Sequence, residues 1–450
     1  MRRPSPRLAS NVEEVFVCSF GGGCALTRPL RVALFSDAFH EANGVATVSR
    51  EFAAFAQRQK LPFFSVHSGA QTQVTCQQSF TTLELKRGVA AFPLDHDLYC
   101  DPLLSRYRNW VIAQLRPFHA DLVHITGPGD MGVLGFWVAH CLGIPLVASW
   151  HTNLHEYVGR RLEKFLSFIP ERWRQRISNA AEHQSLRACV SFYGLARFLF
   201  APNQTMVDLL EERTRRPAFL MAHGVDTEVY SPSRRNRRAS SFCIGYVGRL
   251  TPEKNVRLLV ELEQSLIAAG QRNFRFIVVG EGSEKEWLRK NLQFGEFLGI
   301  LRGNALAETF ANMDLFVFPS RTDTFGLVLL EALASGVPVV VSPETGIRVG
   351  ARHGITGFHA EDLNSFTQSV LNLMENKAVH REMSCAAREF ACLKTWCRVF
   401  EQLYRTYETG LEAIGLAQSG IGYPAKADEY ISPRNGIGHD DHTARSATLD

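Results

Sequence analysis

The chain lacks several signatures that would narrow its chemistry at once. No CxxC pair and no HExxH occur. Its ten cysteines are scattered without metal-ligand spacing, Cys392 and Cys397 forming only a loose C-x4-C. A zinc site is not indicated, and the pattern fits reduced, buried thiols in a cytosolic enzyme. No apolar run reaches the ~18 residues that a membrane-spanning helix needs. No long basic run interleaved with aromatics is present and the net charge of +4 is mild, so nucleic acid is not an expected partner. A dinucleotide fingerprint is also missing: the first strand–turn–helix has no GxGxxG, and Gly280-Glu281-Gly282 continues as Ser-Glu-Lys.

What is present is a chain of 450 residues, 45% apolar and 21% charged, long enough for two domains with proper cores. Residues 1–28 begin basic but break their apolar segment with acids and glycines. They make a poor signal peptide and read as a disordered extension, with an upstream start that need not be the one used. Residues 417–450 are rich in Gly, Pro, Asp and Ser without periodicity, and read as a disordered tail.

Short buried-strand candidates alternate with helical patterns. RVALFSD (31–37), FFSVHS (63–68), DLVHITG (121–127) and PLVASWH (145–151) fall in the first half. SFCIGYVG (241–248), RFIVVG (275–280), DLFVFPS (314–320) and VPVVVS (337–342) fall in the second. Continuous apolar strands separated by helices mean parallel sheets covered on both faces. The expected fold class is therefore α/β, with two doubly wound domains joined near YSPSRRNRRASS (230–241). Ligands of such sheets bind at the carboxyl ends of strands, where loops feed helix N-termini.

Three of those loops carry polar groups suited to a nucleotide. After DLFVFPS comes RTDTFG, then the helix LVLLEALASG, which stops at Gly336. Asp323 sits in the loop, and the amides of Thr324, Phe325 and Gly326 at the helix start suit a phosphate. Glu331 falls about one turn into the helix; a carboxylate there can accept two hydrogen bonds from a vicinal diol such as a ribose. Glu331 lies in a helix apolar almost all round, which argues against a merely solvated acid.

In YVGRLTPEKNVRLLVE (246–261) the strand ends at Gly248, Arg249 and Lys254 follow, and a helix is expected from near Asn255. Two cations there fit a diphosphate, gripped bidentately by Arg and as a point charge by Lys. A loop salt-bridged through Glu253 is the structural alternative. In the first half, Asn43-Gly44-Val45 precedes a helix, and Gly44 would let backbone approach a phosphate closely. His151, in SWHTNLHEY (149–157), ends a strand. With no nucleophile signature beside it, it reads as a substrate hydrogen-bonder or a satisfied core histidine. Metal ligation with His155 lacks a third ligand.

These segments together resemble a known family. VGRLTPEKN, VVGEG, GILRGNALAETFANMDLFVFPS and RTDTFGLVLLEALASGVPVV are similar, in order and spacing, to the carboxyl half of the group 1 retaining glycosyltransferases, family 4. HGVDTEVYSP (223–232) resembles the segment that closes that family's amino-terminal domain. NGVATVSR and HITGPGDMGVLGFWVAHCLGIPLVASWHTNLHEY resemble a narrower group, the GDP-mannose-dependent α-mannosyltransferases and the sulfoquinovosyl- and glucuronosyl-diacylglycerol enzymes. The resemblance spans roughly residues 30–415.

The resemblance implies a GT-B fold, two facing Rossmann-like domains with a nucleotide sugar in the cleft. The expected division is 29–235 for the acceptor domain, 236–393 for the nucleotide-sugar domain, and 394–416 for a helix crossing back to the first. By the family's motifs, Glu331 would bind the ribose, and Arg249 and Lys254 the diphosphate, beside Gly248. Asp323, with the backbone of Phe325, Gly326 and Leu327, would meet the hexose and phosphates. Gly44 would approach the diphosphate from the first domain, and His151 would bond the donor sugar. Asp323 and Glu331 stand where the family has E-x7-E. The shorter acid moves the acceptor oxygens by roughly an ångström or more, enough to matter for hydrogen bonding.

The implied reaction moves a mannose- or glucose-type hexose from a nucleotide diphosphate to a hydroxyl of a lipid or glycan, with retention. The leaving phosphate takes the acceptor's proton in front-side attack, and no metal is expected. A sugar-nucleotide epimerase of the same fold, or a non-catalytic nucleotide-sugar-binding module, are the alternatives. GRRLEKFLSFIPERWRQRISNAA (159–181) carries Arg160, Arg161, Lys164, Arg172, Arg174 and Arg176 among apolar residues. Such a segment could lie on anionic lipid at the cytoplasmic membrane face, or be an ordinary surface helix.

Overall fold

A computed structural model describes residues 28–418, apart from 42, 90, 96–97, 102, 152–170, 238–240, 321–325 and 344–350. The strands are β1 (Val32–Ser36), β2 (Phe63–Gly69), β3 (Gln73–Gln77), β4 (Phe80–Lys86), β5 (Phe92–Asp95), β6 (Leu98–Cys100), β7 (Leu122–Ile125) and β8 (Leu146–Ser149). They continue as β9 (Phe198–Ala201), β10 (Ala218–Leu220), β11 (Phe242–Val247), β12 (Phe274–Val279), β13 (Gly295–Gly299), β14 (Leu315–Phe318), β15 (Val339–Val341) and β16 (Gly357–His359).

The first sheet has eight strands in the order β10-β9-β8-β7-β1-β2-β4-β3, parallel except for β3. The second has six, in the order β13-β12-β11-β14-β15-β16, all parallel. β5 and β6 form a separate antiparallel pair. All eight strand candidates of the sequence are strands in these sheets. In each sheet the order reverses once, at β1 between β2 and β7, and at β11 between β12 and β14. Such switch points open a crevice at the carboxyl ends of the strands.

The first sheet is covered on both faces, because its strands alternate. Val123, Ile125 and Ala148 enter one core, with Leu134 and Val138 of the helix Asp130–Leu142. Leu122 and Val147 enter the other, with Phe52 of the helix Gly44–Arg58. The last helix, Trp396–Gln418, follows the second sheet in sequence but packs on this second core of the first sheet. Phe400 is fully buried, stacked on Phe52 with ring centroids 4.7 Å apart.

The two chain crossings between the sheets run side by side. Val225 bridges to Thr395, and its amide donates to the Lys394 carbonyl at 2.9 Å. Gly224 has no room for a side chain there, since a Cβ would lie 2.5 Å from the Trp396 amide nitrogen. Beyond the crossing, the basic segment is not a free linker: Arg235 and Arg237 both pair with Asp314 at the start of β14, Arg235 at 2.6 Å.

Candidate active site

β11 ends at Val247, and the chain then passes Gly248, Arg249 and the buried Leu250 into a 3-10 turn, Pro252–Lys254. Asn255 ends that turn in a left-handed conformation (φ 52°), and the helix begins only at Leu258. The expected start near Asn255 is therefore corrected by three residues. Pro252 sets the tight turn, and the left-handed residue after it interrupts the helix. Arg249 and Lys254 thus lie on a compact loop, not on the first turn of a helix. Lys254 is only 8% exposed, and a buried ammonium needs negative charge nearby.

This loop is pressed against the one that follows β12. A Cβ on Gly280 would lie 1.9 Å from the Gly248 carbonyl oxygen, and Gly280 adopts φ 137°. Glycine is needed there for both reasons. The Gly-Glu-Gly that failed as a dinucleotide fingerprint is a packing device between two strand ends.

β14 leads to the helix Leu327–Ala334, which starts after Gly326 in a left-handed conformation (φ 71°). Asp323 and Phe325 belong to 321–325 and lie outside the described residues. Glu331 stands one turn into the helix. It keeps some accessible surface, but the protein packed around it desolvates the carboxylate and pushes its pKa up to about 7, against a hydrogen bond from the Tyr230 hydroxyl. Burial and the neighbouring carboxylate push the Tyr230 phenol upward in turn.

The sequence places Tyr230 at the head of the joining segment, and nothing local to it marks a partner. Arg388 explains its placement. One guanidinium nitrogen donates to the carbonyls of Tyr230 at 2.8 Å and Ala334 at 2.6 Å, and the other donates to Thr227 at 3.0 Å. Arg388 therefore clamps the crossing segment onto the carboxyl end of the Glu331 helix, where a cation also suits the helix dipole.

From the first sheet, Asn43 caps the helix Gly44–Arg58, its side-chain oxygen accepting from the Ala46 amide at 2.9 Å. A Cβ built on Gly44 would lie 3.5 Å from Cδ1 of Leu327. The starts of two helices, one from each sheet, thus face each other, with Glu331 one turn behind. Asn43→Ala should fray this start and lower the melting temperature by about 2–4 °C, a loss of about 1 kcal/mol; an unchanged melting curve would show the cap to be irrelevant.

A second helix start in the same crevice is filled from within. The Asp37 carboxylate, just after β1, accepts from the amides of Gly129 (3.3 Å), Met131 (3.1 Å) and Gly132 (3.1 Å). Burial and the nearby Asp130 push its pKa up to about 7. That helix N-terminus is therefore not open to a donor phosphate. His151 follows β8, with Nε2 2.7 Å from the Ser149 hydroxyl. Desolvation lowers its pKa to about 4, so it is neutral at pH 7. Its ring centroid lies 6.0 Å from that of His223 in the segment before the crossing.

Two family models cover these elements. One described as glycosyl transferases group 1 matches residues 241–376, and one described as glycosyltransferase family 4 matches residues 42–229. A GDP-mannose-dependent alpha-mannosyltransferase of Mycolicibacterium smegmatis is 30% identical over 319 residues, 68% of this chain and 77% of that protein. The chain belongs to the group 1, family 4 glycosyltransferases. A second protein of the same description, from Corynebacterium glutamicum, is 27% identical over 68% of this chain and 71% of its own length. Among solved structures, the sucrose-phosphate synthase of Thermosynechococcus elongatus aligns with a TM-score of 0.63 at 18% identity, covering 84% of this chain and 98% of that one.

The glycosyltransferase accordingly has the GT-B fold, and the two switch points are those of its two Rossmann-like sheets. Of the residues singled out in the sequence, Gly44 and Leu327 meet across the crevice. Gly248, Arg249 and Lys254 share one loop, Gly326, Leu327 and Glu331 share the next, and His151 lies on the first sheet. Tyr230 and Arg388 are the additions. Among the described residues, no group of three His, Cys, Asp or Glu could hold a metal ion, and no helix is long and apolar enough to cross a membrane.

Proposed function

We propose that the glycosyltransferase moves a mannose-type hexose from GDP-mannose, or a related nucleotide diphosphate sugar, to a hydroxyl of a lipid or glycan, with retention. The observation that carries this reading is the pairing of Gly44 with Leu327 across the crevice, one turn ahead of Glu331. A diphosphate between two helix starts is stabilised by amides from both sides. Glu331 takes the ribose hydroxyls. Arg249 and Lys254 hold the diphosphate and stabilise the charge that develops on it as the glycosidic bond breaks. Asp323, with the backbone of Phe325, Gly326 and Leu327, meets the hexose, and His151 bonds a sugar hydroxyl. Residues 29–235 form the acceptor-side domain and 236–393 the donor-side domain, with 394–416 returning to the first. The GDP-mannose choice rests on the relatives from Mycolicibacterium and Corynebacterium.

A thermal-shift panel of GDP-mannose, UDP-glucose, UDP-glucuronate and UDP-galactose tests the donor. At 100 times its dissociation constant a bound ligand adds about 2.7 kcal/mol, which a melting curve resolves. GDP-mannose is expected to give the largest shift; a flat response to all four would overturn the donor reading.

The acceptor side could be lipid. Residues 159–170 of the basic segment lie outside the described residues, and residues 171–181 open the helix Glu171–Tyr193. Arg172, Arg174 and Arg176 lie within about one turn on it, a density that suits anionic headgroups. The protein should float with vesicles containing phosphatidylglycerol, and replacing these three arginines with glutamine should abolish flotation. Equal flotation of the two proteins would sink the lipid reading of this segment.

A further inference from the structure

A run of buried hydrogen bonds connects the last helix to His151. Tyr407 on that helix is fully buried, and its hydroxyl meets Nδ1 of His124 on β7. Nε2 of His124 lies 2.9 Å from the Ser149 hydroxyl, and that hydroxyl lies 2.7 Å from Nε2 of His151. Strand geometry assembles the run: Ser149 follows Val147 on the alternating face of β8 that carries the core beneath the last helix, and His151 continues the alternation. Phe200 stacks over His124 with ring centroids 5.9 Å apart and Phe52 stands edge-on at 6.4 Å, and His124 is buried.

The direction of these bonds follows from the first donor. The Tyr407 phenol is held protonated by burial, and the acceptor it meets is Nδ1 of His124. A buried phenol proton must go to an acceptor, so Tyr407 donates. His124, its Nδ1 now accepting, carries its proton on Nε2 and donates to Ser149. The Ser149 hydroxyl, having accepted, donates its own proton to Nε2 of His151. The His151 proton is then left on Nδ1.

We propose that Tyr407, His124 and Ser149 are positioning residues, a one-directional relay that holds His151 in the Nδ1–H tautomer. His151 then meets a hexose oxygen as an N–H donor and not as a lone pair. The consequence rests on the reading of His151 as a donor-sugar contact. The relay also gives the returning helix a role besides covering the sheet, because its docking sets the proton of a side chain in the cleft.

The test is a long-range 1H–15N correlation spectrum of the full chain with labelled histidines, recorded for the wild type and for Tyr407→Phe. Tyr407→Phe removes only the hydroxyl and keeps the ring packing, so the fold should persist. The wild type should show His151 protonated on Nδ1, and Tyr407→Phe should show it mixed between tautomers. With GDP-mannose as donor, kcat should fall in Tyr407→Phe by roughly 3- to 10-fold, the weight of one hydrogen bond, with KM little changed. Ser149→Ala should give the same split, and Ser149→Thr, which restores the hydroxyl, should recover it. An Nε2–H signal for His151 in the wild type, or a tautomer unmoved by Tyr407→Phe, would overturn the relay. A His151→Ala protein with normal kcat and KM would instead overturn the donor-sugar role, while the tautomer measurement stood by itself.

Discussion

Lys254→Ala is expected to lower kcat by roughly 10²–10³-fold, the effect of removing one preorganised donor from a developing anion. The argument starts from burial. Lys254 closes a 3-10 turn directly after the central strand of the second sheet and is 8% exposed. There its charge acts with little screening by solvent. An ammonium beside the leaving diphosphate gains most as negative charge accumulates, so the loss should appear in kcat more than in donor KM. A purely structural lysine would behave differently, with the melting temperature falling along with activity. The decisive measurement is therefore kcat, KM and melting temperature on one preparation. Unchanged kcat, or a loss fully accounted for by unfolding, would remove Lys254 from the catalytic machinery.

Glu331→Gln should raise donor KM by roughly 10- to 100-fold, because hydrogen bonds to a charged acceptor are worth about 1.5–3 kcal/mol. The glutamine keeps the shape and can still accept from Tyr230, but it offers one acceptor where the carboxylate offers two to a ribose diol. The same substitution should change stability in the opposite sense. In the folded chain Glu331 titrates near 7, against 4.5 for an unperturbed glutamate. An acid raised in this way favours folding most below its unfolded pKa, and the benefit is lost as pH rises through 7. The penalty at pH 8 amounts to at most about 3 kcal/mol. Glu331→Gln should therefore match the wild type near pH 4 and melt higher at pH 8. Donor KM of the wild type should rise as pH falls below 7, while that of the variant stays flat. A variant that melts no higher at pH 8 would show that Glu331 is not desolvated as described.

The strands legible in the sequence are eight of the ten inner ones, and the reason is physical. β1, β2, β7, β8, β11, β12, β14 and β15 are buried on both faces and read as continuous apolar runs. The four strands at the sheet edges, β3, β10, β13 and β16, are short or partly exposed and carry no such run. β3 is exposed along its whole length, and an edge strand with solvent on one side needs no apolar run. Beside those edges, β4 is half polar and shows no continuous run, while β9 is as short and as apolar as β7 and β8 and nothing in its composition sets it apart from them.

The candidate site divides along the same line. Local order along the chain already carried the Asn43 cap before Gly44, the glycine before Leu327, the acid one turn later and the two cations after β11. Each of these is a relation between residues within a turn or two, which a linear pattern records. The sequence by itself therefore determined two doubly wound sheets, the family, and the loops that bear the charged groups. The tertiary structure alone decided which loops meet. Gly44 faces Leu327 because two chain crossings lie side by side at Val225 and Thr395. Tyr230 reaches Glu331 because Arg388 clamps the crossing to that helix. His124 and Tyr407 meet across 283 positions only once the last helix has returned to the first sheet. A periodicity reports the face of one element, and contacts between elements depend on strand order and on where the chain crosses, which no local pattern encodes.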